Sequence, residues 1–201
     1  MKKELAFILF TVVIALAGCM GNRDKGNDYM EEDSIRISNV PDTAFYGHLG
    51  DGTGMSCLQL VTNEGDTLVL NKTDEKSGED GRILGEIANY TDQFAITTRD
   101  DNQSISVALN INQLAQSWQS QTDSLHGFSL LPDGKAKAIK NKQYKYNRWD
   151  LCNCHLILLR ESVGAHGAET RHDTLQILCL TPDSLVLQAL HSMVQETFIH
   201  L

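Results

Sequence analysis

The sequence predicts an all-β protein: two small antiparallel barrels or half-barrels, behind a cleavable apolar leader and a flexible tether. Three observations predict it. Apolar and polar residues alternate in short runs, as in Ile105, Val107, Leu109 and Ile111. Turn-forming clusters separate the runs: Asn63-Glu64-Gly65-Asp66, Pro132-Asp133-Gly134 and Pro182-Asp183. Helix candidates are short, Asn112 to Ser117 and His191 to Gln195.

Composition bounds the rest. With 201 residues, 41% of them hydrophobic and 21% charged, most of the chain should fold. The net charge is −9 and no Lys/Arg cluster interrupts it. Nucleic acid is therefore not an expected partner, because neutralising phosphates needs a basic face. Three prolines exclude collagen-like or Pro-rich linker architecture.

The leader comes first. Met1-Lys2-Lys3-Glu4 precedes an apolar run from Leu5 to Ala17. That run is too short for a bilayer-spanning helix, which needs roughly 20 residues, but it suits a secretory signal. Its end, Leu16-Ala17-Gly18-Cys19, resembles the lipobox of bacterial lipoproteins. The resemblance implies cleavage before Cys19 and acylation of its thiol, so membrane lipid is the expected first partner. Two or three acyl chains, at about 0.8 kcal/mol per buried CH₂, make a stable anchor. The expected boundaries are 1–18 for the signal peptide and 19–44 for the lipidated N-terminus and tether. Met20 to Ser34 is polar and aperiodic, with an r.m.s. reach of roughly 20 Å. Met20 follows the cysteine where an aspartate would favour inner-membrane retention. The expected address is the outer membrane of the cell envelope, facing the periplasm.

Two β domains follow, at 45–114 and 115–201. The first reads as about five strands, including Ser56 to Thr62, Thr67 to Asn71, Gln93 to Thr98 and Ser104 to Ile111, with a loop from Lys72 to Gly81. The second reads as Gly127 to Leu131, Lys135 to Ile139, Tyr144 to Leu151, His155 to Arg160, Asp173 to Leu180, Ser184 to Leu190 and Glu196 to Leu201. Glu161 to Glu169, with two glycines, is expected to be a loop. Asp66-Thr67-Leu68-Val69-Leu70 is echoed by Asp183-Ser184-Leu185-Val186-Leu187, one strand-starting chemistry used twice.

Residues 118 to 188 resemble the lipocalin-like domain of Gram-negative envelope lipoproteins. The likeness is carried by Trp118, His126-Gly127-Phe128-Ser129-Leu130-Leu131-Pro132-Asp133-Gly134-Lys135-Ala136, Tyr146, Trp149 and Leu156-Ile157-Leu158, then by Asp173-Thr174-Leu175 and Leu180 to Leu187. Two places depart from the pattern: Gln116-Ser117-Trp118 replaces Gly-x-Trp, and Asn153-Cys154 replaces an Asn-Gly turn. The first domain is similar to a small OB-like module, through Gly47-His48-Leu49-Gly50-Asp51-Gly52 and Leu58-Gln59-Leu60-Val61. The resemblances imply a fold and an address. At about 85 residues, the second domain is expected to form a half-barrel or shallow cup.

Candidate chemistry is sparse. Cys57, Cys152, Cys154 and Cys179 lie in an expected oxidising compartment, where disulfides are permitted and three pairings are open. Cys152-Asn153-Cys154-His155 offers soft ligands suited to copper(I) or zinc, but structural zinc takes four ligands at longer spacings. No metal and no cofactor is expected. Gly50-Asp51-Gly52-Thr53-Gly54 lacks the Lys-Ser/Thr and helix of a phosphate loop and reads as a turn. His166, His172, Glu169 and Asp173 read as a solvated loop. Trp118, Phe128, Tyr144, Tyr146 and Trp149 either line a cup or fill a core. No His-Glu-x-x-His or Gly-x-Ser-x-Gly occurs, so catalysis is not expected. The expected function is a non-catalytic lipoprotein binding a small apolar ligand or an envelope protein. The alternative is an envelope-stress, metal- or redox-sensing lipoprotein that uses Cys152 and Cys154.

Overall fold

A computed structural model describes residues 40–99, 102–140, 144–164 and 167–201. The leader, Cys19, the tether up to residue 39 and His166 lie outside the described residues; the last residues of the expected tether, Pro41 to Thr43, are bonded to Asn153 rather than free.

The first sheet has six strands: β1 (Phe45–Leu49), β2 (Cys57–Thr62), β3 (Thr67–Asn71), β4 (Arg82–Leu84), β5 (Gln93–Thr98) and β6 (Ile105–Asn110). Their order is β3-β2-β1-β5-β6-β4. All neighbours are antiparallel except β4 and β6, which run parallel. Alternation buries Leu58, Leu60, Leu70, Phe94, Ile96 and Ile105 in one cluster. Gly47 is required where β1 crosses β2, because a Cβ there would sit 2.1 Å from the Val61 carbonyl oxygen. Strand β4 had no sequence signal. It is three residues long, lies between Gly81 and Gly85, and is held by its parallel partner.

A single helical turn, α1 (Ile111–Leu114), leads into the second sheet. The Asn110 side chain caps its start by accepting from the Gln113 amide at 3.0 Å. The expected helix to Ser117 stops at Leu114, because the Trp118 indole Nε1 donates to the Leu114 carbonyl at 2.9 Å. Residues expected to end that helix, and those after them, form β7 (Ser117–Ser120) instead.

The second sheet continues with β8 (Gly127–Leu130), β9 (Ala136–Ala138), β10 (Tyr144–Cys152), β11 (His155–Gly164), β12 (Gly167–Leu180), β13 (Ser184–Ala189) and β14 (Gln195–His200). Its order is β10-β11-β12-β13-β14-β7-β8-β9, so the first and last strands of this sequence meet as β7 and β14. The remaining seam, β9 against β10, carries a bridge between Lys135 and Arg148 and a bond from the Trp149 amide to the Gly134 carbonyl at 2.9 Å. The circuit is a near-barrel, more complete than a shallow cup. The expected loop from Glu161 to Glu169 is largely strand: β11 and β12 pair from His155↔Gln176 out to Gly164↔Gly167. The His191 to Gln195 stretch is not helical; it ends as the start of β14.

One end of the barrel is stopped by the first sheet. Leu84, Ala95, Leu109 and Leu114 share a core with Trp118, Phe128, Trp149, Leu156 and Leu185. The Gly85 amide donates to the Leu180 carbonyl at 3.0 Å, and the Cys154 sulfur lies 3.4 Å from the Ala95 carbonyl oxygen. The hairpin turns after β8, β10 and β12 lie at this closed end, whereas the connections β7–β8 and β13–β14 lie at the other.

Candidate functional site

At the end away from the first sheet the barrel holds a cavity of about 390 Å³. That is within the usual range for small-molecule sites, at its lower end. Inward positions of successive strands build it. Phe128 on β8, Tyr146 on β10, Leu158 on β11, Leu187 on β13 and Phe198 on β14 supply its floor and walls. Phe128 and Tyr146 pack edge-on, 6.1 Å apart at 85°, and Phe128 and Phe198 are tilted, 5.0 Å apart at 57°. Leu175 and Ala189 continue the apolar lining toward the mouth, and Ser192 and Val194 contribute from the β13–β14 connection.

Above this floor the cup carries charge. Arg160 Nε lies 3.2 Å from an Asp173 carboxylate oxygen, and His126 Nδ1 lies 2.8 Å from Glu196 Oε1. Each of the four side chains is about one-quarter to one-third exposed. Burial pushes the Asp173 carboxyl up, against the opposing pull of Arg160, Arg171, His126 and His172. Farther out, Arg171 Nη2 pairs with Glu169 Oε2 at 3.0 Å.

The expected aromatic set divides. Phe128 and Tyr146 line the cup, whereas Trp118 and Trp149 are core residues whose indole nitrogens donate to the Leu114 and Leu131 carbonyls. The Tyr144 side chain lies outside the described set. Phe198 was not singled out beforehand, although its strand was; its alternation with Glu196 was the available signal. Of the acid and histidine group around the β11–β12 hairpin, Asp173 enters the cup and Glu169 pairs with Arg171. Arg160 and Glu196 carried no motif, and only the register brings Arg160 to Asp173 and Glu196 to His126.

Cys57, Cys152, Cys154 and Cys179 are free thiols. Cys152 and His155 flank a two-residue turn in which Asn153 (φ 49°) and Cys154 (φ 60°) are both left-handed. Burial pushes the Cys154 thiol up to about 12, and burial with the Asp42 and Asp150 charges raises that of Cys152. Neither environment activates a thiolate. The Gly50–Gly54 segment is a turn: the Gly52 amide donates to Gln59 Oε1 at 2.8 Å and the Thr53 amide to the Gly50 carbonyl at 3.0 Å. Among the described residues, no group of three or more His, Cys, Asp or Glu side chains is placed to hold a metal ion.

Residues 110–200 match the model of the lipocalin-like family. The chain is also similar to a lipocalin-like protein of known crystal structure from Bacteroides thetaiotaomicron VPI-5482, with 25% identity over 44% of this chain and 96% of that one, and a TM-score of 0.39. No curated protein matches the chain. The matched span takes in the second sheet and the turn that precedes it.

Proposed function

We propose that this is a lipid-anchored, non-catalytic envelope lipoprotein whose lipocalin-like barrel binds a small, largely apolar ligand. The observation that carries the reading is the cup itself: about 390 Å³ over aromatic and aliphatic walls, stopped below by the first sheet and open at one end. The family match over residues 110–200 supports it. We further read the first sheet as an OB-like module. The meander β1-β2-β3, the β1–β5 and β5–β6 pairings, and a parallel bridge from Asn71 to Ser104 at the closing seam support that assignment. Its β4 insertion is extra. The anchor at Cys19 and the outer-membrane address rest on the lipobox.

Two measurements test the proposal. Native mass spectrometry of the protein taken from its own envelope should show an organic adduct, lost in Leu175→Glu, which charges the cup wall. Metabolic labelling with an alkyne-bearing palmitate should mark the chain and fail on Cys19→Ser. A bare polypeptide that also ignores apolar dyes would sink the binding reading, and an unlabelled wild-type chain the anchor.

A further inference from the structure

The charged belt of the cup restricts the head group of what enters it. Arg160 is matched by Asp173 at 3.2 Å, His126 by Glu196 at 2.8 Å, and Arg171 at the outer edge by Glu169 at 3.0 Å. Around Asp173 stand Arg160, Arg171, His126 and His172; across the cup stands Glu196. Every carboxylate in the belt therefore already faces a basic side chain. Below lie the apolar side chains of Phe128, Tyr146, Leu158, Leu187 and Phe198, with Leu175 and Ala189 beside them.

Resting on the binding reading above, we propose that the ligand is an amphiphile with an uncharged, hydroxyl- or amide-bearing head, held at the Arg160–Asp173 and His126–Glu196 level with its apolar part on the aromatic floor. A carboxylate head placed there meets the fixed carboxylates of Asp173 and Glu196. An ammonium head meets the Arg160 guanidinium. Either must separate a partly desolvated pair before it gains a partner. A hydroxyl does neither: it donates to a carboxylate oxygen, which has lone pairs for several bonds, and leaves both pairs in place.

The test uses the intact chain in detergent-free buffer at neutral pH. The neutral dye N-phenylnaphthylamine is bound first, then displaced by monolaurin, laurate or dodecylamine, three heads on one tail. Monolaurin should displace at least about tenfold more strongly than either charged probe, a difference of about 1.4 kcal/mol. Asp173→Asn leaves the Arg160 guanidinium without its carboxylate, so laurate should rise to or past monolaurin. Glu196→Gln, which keeps the Arg160–Asp173 pair, should shift the order the same way by less. Thermal melts confirm that each variant is folded.

A wild-type preference for laurate or dodecylamine overturns the head-group inference and leaves the cup as a binding site. An unchanged order in both folded variants also overturns it, because the belt then does not touch the head. If neither the dye nor any probe binds, the binding reading falls and this inference with it.

Discussion

Asn153, at the tip of the β10–β11 hairpin, accepts two hydrogen bonds from Thr43, 110 residues earlier in the chain: from its amide at 2.8 Å and its hydroxyl at 2.9 Å. Its own amide donates to Asp42 at 2.8 Å and its Nδ2 to the Pro41 carbonyl at 3.1 Å. One asparagine thus fastens the start of the described chain to the barrel, while its left-handed backbone makes the turn.

Asn153→Ala should remove both contributions and cost about 1–3 kcal/mol. Asn153→Gly should cost less, because glycine keeps the turn and loses only the side-chain bonds. Urea unfolding ranks the three proteins, and limited proteolysis near Thr43 should speed up in both variants. Equal stability of wild type and Asn153→Ala would show that the clasp contributes nothing.

Cysteine reactivity should follow burial. Cys179 is exposed and should alkylate first; Cys57 is half-buried; Cys154, buried with its thiol raised to about 12, should react only after denaturation. Peptide mass mapping of a timed iodoacetamide reaction, under reducing conditions, reads the order. Early modification of Cys154 would mean that the turn opens in the native state.

Trp118→Phe should cost about 1–3 kcal/mol, through the lost indole bond to the Leu114 carbonyl, which then keeps only the Gln116 amide, and through the smaller ring left in a fully buried site. Because Leu114 and Trp118 belong to a core shared by both sheets, the loss should appear as an earlier single transition in calorimetry. Two separated transitions would contradict a shared core.

Acid should weaken the first sheet through Asp74. The Ser77 amide, at 2.6 Å, and the Ser104 hydroxyl, at 3.0 Å, hold its carboxyl down at about 2, below the usual 3.8. The folded state therefore favours the ionised form. That contribution is complete above about pH 4 and fades as pH falls toward 2. Asp74→Asn should lower the urea midpoint at neutral pH, and its gap from wild type should narrow with acid. A gap that stays constant with pH would remove Asp74 as the cause.

Strand periodicity and turn chemistry made most of the fold legible. The run from Ile105 is a strand to Asn110, although its burial does not alternate strictly, and the Pro132-Asp133-Gly134 turn is present, with Gly134 at φ 79°. The missed pieces are those fixed by tertiary partners. β4 exists because β6 offers it an edge, and β7 because β14 and β8 flank it. The Gly164–Gly167 neighbourhood read as loop because glycine is depleted in strands, yet it continues a long ladder. The site was half legible. Phe128 and Tyr146 stood out as aromatics on alternating strands. The Arg160–Asp173 and His126–Glu196 pairs did not, because partners 13 and 70 residues apart meet only once the register is known.

The place of β14 between β13 and β7 also sets an order of events. Seven strands of the sheet can pair as the chain emerges, but β7 and β13 keep open edges until residues 195–200 arrive. A chain stalled just short of Gln195 therefore presents two strand edges at once, the geometry that templates intermolecular pairing. The sheet is most exposed while β14 is still to come, and six residues are a small target on which the fate of the whole sheet depends.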